Sequence, residues 1–195
     1  MNKLVPIVSL ASIAALGHGA PPKPYHSAGG FSIVPPIHWK VMDPSSTESL
    51  NDVVVQRFKM RLGSNRITLA LFDPAGGSFT NNLNVVVNLS ASGGDPTAAD
   101  AAKYAGQLQS ELQNSGLTTK TLYSKIAPFC GHHAIEAESL ITMGSIKVHD
   151  LQVVIVAKGK RYIVTCSALD GTFERVRPIF LKSVKSMKID GDARK

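Results

Sequence analysis

One stretch of the sequence gathers groups able to bind a metal ion or move a proton: Cys130-Gly-His132-His133-Ala-Ile-Glu136-Ala-Glu138. If it is extended, alternation places His132, Glu136 and Glu138 on one face and His133 on the other. Imidazole and carboxylate on a common face form a donor set for a divalent metal, to which the Cys130 thiolate would add a soft ligand. The same groups could serve a small metal-dependent or hydrolytic enzyme with its site around His132 and Glu136. The stretch lacks the paired short-spacing ligands that define zinc motifs. The plainer reading is a strand with one polar face turned to water. His132, Glu136 and Glu138 are thus the metal candidates to inspect, and no bound metal is the expectation.

Other chemistry is harder to find. Ser64 and Ser145 lie beside glycine, but neither sits in a nucleophile elbow. Cys130 has histidines near in sequence, whereas a catalytic Cys/His pair is defined in space. Cys166 falls inside an apolar run and reads as packing. Ala75-Gly-Gly-Ser is a turn, not a phosphate loop. No catalytic residue and no cofactor follow from these signals, and the chain reads as a non-enzyme. Charge gives a different lead. From Lys158 to Lys195 there are ten Lys or Arg against four Asp or Glu, in a chain of net charge +7. Arg175, Lys182, Lys185 and Lys188 lie on one arc of a C-terminal helix, opposite Phe173, Val176, Ile179, Phe180, Val184 and Met187. A basic arc suits a protein or another anionic component of the cell envelope, and is equally what a solvated helix face looks like. It is not interleaved with aromatic rings, so nucleic acid is not an expected partner.

The elements that must position these groups follow from pattern. A chain of 195 residues with 44 % hydrophobic and 18 % charged content fits one domain with one core. Lys3, the apolar run Leu4 to Leu16 and the small residues before Pro21-Pro22 have the three parts of a secretory signal. The run is too short to span a bilayer. Residues 1–19 are therefore expected to be removed, leaving a periplasmic or secreted monomer without a transmembrane segment. Residues 20–30, rich in Pro and Gly, read as a tether, and 190–195 as a tail. Strands are expected at Phe31 to Val34, Val53 to Met60, Arg66 to Phe72 and Leu83 to Leu89. Trp39 should plug one end of the core. Asp95-Pro96 should cap a helix that stops at Gly116. An antiparallel meander then runs through Thr121 to Ile126, His132 to Ile141, Val148 to Ala157 and Arg161 to Ala168, and a helix from Phe173 to Met187 closes the chain. Pro178 should bend that helix or mark its start. The expected register sets Glu136 opposite Val153 and Val153 opposite Cys166, which leaves Cys130 and Cys166 too far apart for a disulfide.

The pattern is similar to the PsbP-like superfamily. The residues that carry the likeness are Phe31-Ser-Ile with Pro36 and Trp39, the strand Leu83-Asn-Val-Val-Val, the hairpin from Gln152 to Cys166, and the ending Phe173 to Pro178 with Phe180 and Ser186. The likeness covers about Phe31 to Ile189. It implies an α+β domain, 31–189, with an antiparallel sheet of about six to seven strands flanked by helices. It also implies accessory or binding roles in larger assemblies.

Overall fold

The computed structural model describes residues 23–58, 66–76, 79–89, 94–114 and 116–192. The signal-peptide expectation lies outside the described residues. Strands β1 (Tyr25–Ser27) and β2 (Phe31–Ile33) are antiparallel, so part of the expected tether is ordered. Then come β3 (Lys40–Val41), α1 (Pro44–Phe58), β4 (Arg66–Phe72), β5 (Asn82–Asn88) and α2 (Ala98–Asn114). The meander is β6 (Thr118–Phe129), β7 (His132–Met143), β8 (Ile146–Ala157) and β9 (Lys160–Leu169), followed by α3 (Asp170–Lys185) and β10 (Lys188–Ile189). A seven-stranded sheet runs β3-β4-β5-β9-β8-β7-β6, and a three-stranded one runs β1-β2-β10. Every pairing is antiparallel.

Tight turns explain the meander. Cys130 and Gly131 have φ of 55° and 77°, and Lys158 and Gly159 have 52° and 70°. Paired positive φ values match the twist of two-residue hairpins. Because only Lys158 and Gly159 lie between the Ala157–Lys160 pair, Val153 faces Val164 and Cys166 faces Leu151. The expected β8–β9 register was thus two residues out, although Glu136 does face Val153. Both cysteines are free.

The large sheet is covered on both faces. On one side α3 and the small sheet bury Phe31, Ile33, Phe173, Phe180 and Val184 against Leu83, Val85, Leu151, Val153, Tyr162 and Val164. Trp39 joins this core edge-on to Phe180, at 5.6 Å and 89°. On the other side α1 and α2 supply Leu50, Ala101, Tyr104, Leu108 and Leu112 against Ile67, Val86, Ile135, Val154 and Ile163. Such double coverage is why Val153 to Ala157 of β8 and Tyr162 to Val164 of β9 are apolar without alternation.

Three elements differ from expectation. Val53 to Phe58 belongs to α1 instead of a strand, while Lys59 and Met60 lie outside the described residues. Asp43 starts that helix: its Oδ1 accepts from the Ser46 N–H at 2.9 Å, and Pro44 follows as the first helical residue. For α2 the cap is Thr97, two residues after Asp95. The Asp100 N–H donates to Thr97 Oγ1 at 3.3 Å, and the Thr97 N–H donates to Asp100 Oδ2 at 2.8 Å. Helix α3 begins at Asp170, so Pro178 lies inside it and does not mark its start.

Candidate functional site

Strand β6 is an edge strand whose regular alternation is interrupted by a bulge. Thr121 pairs with Ser139 and Tyr123 with Glu138, leaving Leu122 as the extra residue. Before the bulge, Thr119 and Thr121 share the α2 side with Ile141 and Ser139. After it, Tyr123 and Lys125 stand beside Glu138 and Glu136 on the α3 side. Helix α3 brings Arg177 down onto the same place. It lies one turn from Phe173, on the flank of the buried arc.

The resulting cluster is dense. Tyr123 Oη lies 2.6 Å from Glu136 Oε1 and 2.8 Å from Glu138 Oε2. The Arg177 guanidinium donates to Glu136 Oε1 at 3.2 Å, to Tyr123 Oη at 3.1 Å and to Glu138 Oε2 at 3.4 Å. His149 Nε2 is 2.8 Å from Glu138 Oε1 and its Nδ1 is 3.3 Å from Asp170 Oδ1, at the start of α3. Its ring stacks on Phe173 with centroids 4.0 Å apart. Lys125 adds an outer contact, 3.7 Å from Glu136.

Electrostatics follow from this packing. Burial alone would push the Glu138 carboxyl up, but the facing His149, Tyr123 and Arg177 outweigh it and hold the group below its ordinary value. For His149 burial acts downward, and Glu138 and Asp170 more than offset it, so the imidazolium is favoured. Burial, with Glu136 and Glu138 as neighbours, pushes the Tyr123 phenol up. Two carboxylates buried together are tolerable because a guanidinium, a phenol and an imidazole are spent on them. Glu136 Oε1 and both Glu138 oxygens are engaged, and what the cluster does is fasten α3 to the sheet.

The three metal candidates are parted. Glu136 and Glu138 belong to this cluster. His132 lies four residues from Glu136 along β7, about 13 Å. There its Nε2 is 2.5 Å from Asp192 Oδ2 and its Nδ1 is 3.5 Å from Asp95 Oδ1. This contact ties residues 190–192, part of the expected tail, back to the domain, as does the Asp190 N–H donating to the Gly30 carbonyl at 3.1 Å. His133 is exposed on the opposite face. Cys130 occupies the hairpin turn and donates to the Val184 carbonyl at 3.4 Å, with burial pushing its thiol up to about 11. Among the described residues no group of three or more His, Cys, Asp or Glu is placed to hold a metal ion.

The basic arc is exposed at Arg175, Lys182 and Lys185 on α3, and at Lys188, which belongs to β10. Ile179, expected on the buried arc, is 42 % exposed between Arg175 and Lys182. That flank of α3 is bordered by the segment after β2, because Ser183 Oγ donates to the Val34 carbonyl at 2.6 Å and the Val34 N–H donates to Ser186 Oγ at 2.8 Å. The segment then turns, with the Trp39 N–H donating to the Pro36 carbonyl at 3.1 Å. At its tip Ile37 is 58 % exposed, and His38 holds φ 68°, a conformation that favours glycine.

Sequence reasoning missed Tyr123, His149, Asp170 and Arg177. A signal existed for Arg177: an arginine four residues from Phe173 on a core-facing helix needs a buried anion, and Glu136 and Glu138 sit in a strand rich in buried positions.

A twisted antiparallel sheet with helices on both faces, closed by a small sheet that joins the two ends of the chain, defines the class as an α/β sandwich. The chain matches the PsbP family over residues 22–189 and belongs to that family. Among solved structures it is similar to cyanobacterial PsbP (CyanoP) from Synechocystis sp. PCC 6803, with 17 % identity, TM-score 0.61, and 90 % of this chain and 97 % of that one covered. It is also similar to LpqN from Mycobacterium tuberculosis, a protein involved in cell envelope biogenesis, with 15 % identity, TM-score 0.50, and 89 % and 87 % covered. At these identities the likeness is one of fold. No curated protein matches the sequence. No helix among the described residues is long and apolar enough to cross a membrane.

Proposed function

We propose that the protein is an exported accessory protein, without chemistry of its own, that binds an acidic segment of a partner protein on the outer face of α3. The observation that carries this reading is the exposed Ile179 set between Arg175 and Lys182, with Lys185 further along the arc and the exposed Ile37 turn beside the same flank. An apolar anchor ringed by charge of one sign is the arrangement in which burial supplies affinity and electrostatics supply orientation. The strained His38 turn adds support, since a non-glycine residue held at positive φ is costly and recurs at functional sites. The involvement of LpqN in cell envelope biogenesis is a precedent for this fold in an envelope.

A photo-crosslinking residue at Ile179, introduced in cells and followed by mass spectrometry, should trap a protein whose cross-linked segment is acidic. Capture should weaken steeply with salt and vanish in the Arg175→Glu, Lys182→Glu, Lys185→Glu variant, whose melting temperature stays unchanged. Salt-insensitive capture by that variant would reject the reading, as would anionic vesicles competing away all capture. Intact-mass analysis of the exported form should find a chain beginning near Ala20. A full-length species starting at Met1 outside the cytoplasm would reject cleavage near Ala20.

A further inference from the structure

The sheet face under α1 and α2 carries a polar band that the Arg177 cluster does not use. Register sets Thr121, Ser139, Asp150, Ser167 and Asn82 side by side across β6, β7, β8, β9 and β5. Gln152, Thr165 and Asn84 form the next row. Apolar rows flank the band on both sides, with Ile141 and Val148 at one edge and Ile135, Val154, Ile163 and Val86 at the other. Asp150, Ser167 and Ser139 are 2 %, 0 % and 1 % exposed. Some of the band is satisfied: Tyr104 Oη of α2 donates to Gln152 Oε1 at 2.6 Å, and the Asn82 amide donates to the Thr80 carbonyl at 3.1 Å. Both carboxyl oxygens of Asp150 and the hydroxyls of Thr121, Ser139 and Ser167 make no well-formed hydrogen bond, although the Ser167 hydroxyl lies close enough to Asp150 to favour its ionised form. Each such group opposes closure of the helices on the sheet, and an ionised one opposes it most.

Among the described residues no cation is committed to Asp150. From α2 it is approached by Tyr104, with Glu111 nearby, while Asp100 is engaged at the Thr97 cap. On α1, Glu48 is taken up by Arg66 at the rim. Arg161 of β9 acts on Tyr104 and Asp100. His149 and Cys166 flank Asp150 from the opposite face, where His149 is held by Glu138 and Asp170. Burial pushes the Asp150 carboxyl up to about 7, against the opposing influence of the Ser167 hydroxyl and His149.

We propose that the Ser139–Asp150–Ser167 row is a proton-controlled latch on the α1–α2 layer. With Asp150 protonated, its carboxyl is a neutral donor between two hydroxyl acceptors, and the helices close on the sheet. With Asp150 ionised, a buried negative charge that only hydroxyls can meet lies beneath them, and the layer opens to water while α3, on the far face, stays fastened. The native state binds the extra proton, so closure is favoured at low pH and lost as pH rises through the folded value. Opening should become about tenfold easier per pH unit until Asp150 ionises in the closed state.

Hydrogen exchange on the full chain at about pH 5.5 and about pH 8, corrected for intrinsic rates, tests this. Amides of α1 and α2 should lose about tenfold or more in protection at the higher pH, with α3 unchanged, and Asp150→Asn should abolish the difference. Equal protection at both pH values, or the same pH dependence in Asp150→Asn, would overturn the latch. Should that variant fail to fold, carboxyl carbon NMR of the wild-type protein decides. An Asp150 midpoint near 7 supports the latch, and one near the ordinary 3.8 overturns it.

Discussion

Arg177 is the single cation shared by Glu136, Glu138 and Tyr123, so its loss should be felt by all three. Arg177→Met keeps much of the stem packing but leaves two buried carboxylates short of a partner. The expected cost is roughly 2 to 4 kcal/mol, below the upper range for an orphaned buried charge because Arg177 is itself partly exposed and Lys125 remains. Urea unfolding should show a lower midpoint at unchanged slope. His149 gives a pH signature. Its folded value lies above the ordinary 6.5, so its stabilisation is fully present below about pH 6.5 and fades as pH rises through the folded value. Ring-carbon NMR should place the His149 midpoint above 6.5, and His149→Gln should flatten this part of the stability profile; a midpoint below 6.5 would refute the Glu138 and Asp170 contacts. The site was half legible in the sequence. Alternation put His132, Glu136 and Glu138 on one face correctly, but it says nothing of what a distant helix lays on that face. Arg177 and Asp192, brought in from the far end of the chain, decide which of the three are neighbours in chemistry.

At the scale of elements, hairpins were read best because turn chemistry is local: Lys158-Gly159 and Gly144-Ser145 join strands within two residues of their expected ends. Helix α1 was lost to its own Val53-Val54-Val55, a β-branched run that outweighed the Asp43-Pro44 start. What holds α1 in place is tertiary. Asn51 Oδ1 accepts from the Ile67 N–H at 2.9 Å and its amide donates to the Ile67 carbonyl at 3.2 Å. Asn51→Leu should therefore cost about 2 kcal/mol by unpairing two buried backbone groups of β4, and exchange of the Ile67 amide should accelerate in parallel. For α3 the two arcs should separate cleanly. Phe180→Ala, which empties a fully buried site, should cost about 3 to 5 kcal/mol, whereas single charge reversals at Arg175, Lys182 or Lys185 should stay within about 0.5 kcal/mol. Melting curves of the four variants measured together would expose any coupling between the surface and the core.

For the whole molecule, the sheet order keeps the two thiols apart. Cys166 lies on β9, beside Leu151 and then Glu138, and Cys130 is eight residues, about 26 Å, along β7 from Glu138. Thiol titration of the unfolded protein without reductant should count two free groups, and a count of none would contradict the strand order. The bulge at Leu122 reaches further than its size suggests. It works as a reading-frame shift written in three dimensions: odd-numbered residues before it address α2, and odd-numbered residues after it address α3. Deleting Leu122 would make Tyr123 the immediate neighbour of Thr121, and strict alternation would then keep Tyr123 opposite Glu138 on the α3 side. The phenol would then keep its place beside Glu136 and Glu138. A one-residue deletion at this exposed edge should thus leave the faces of β6 addressed as before, with the strand straightened, and Leu122→Ser, at a site 42 % exposed, should be nearly silent.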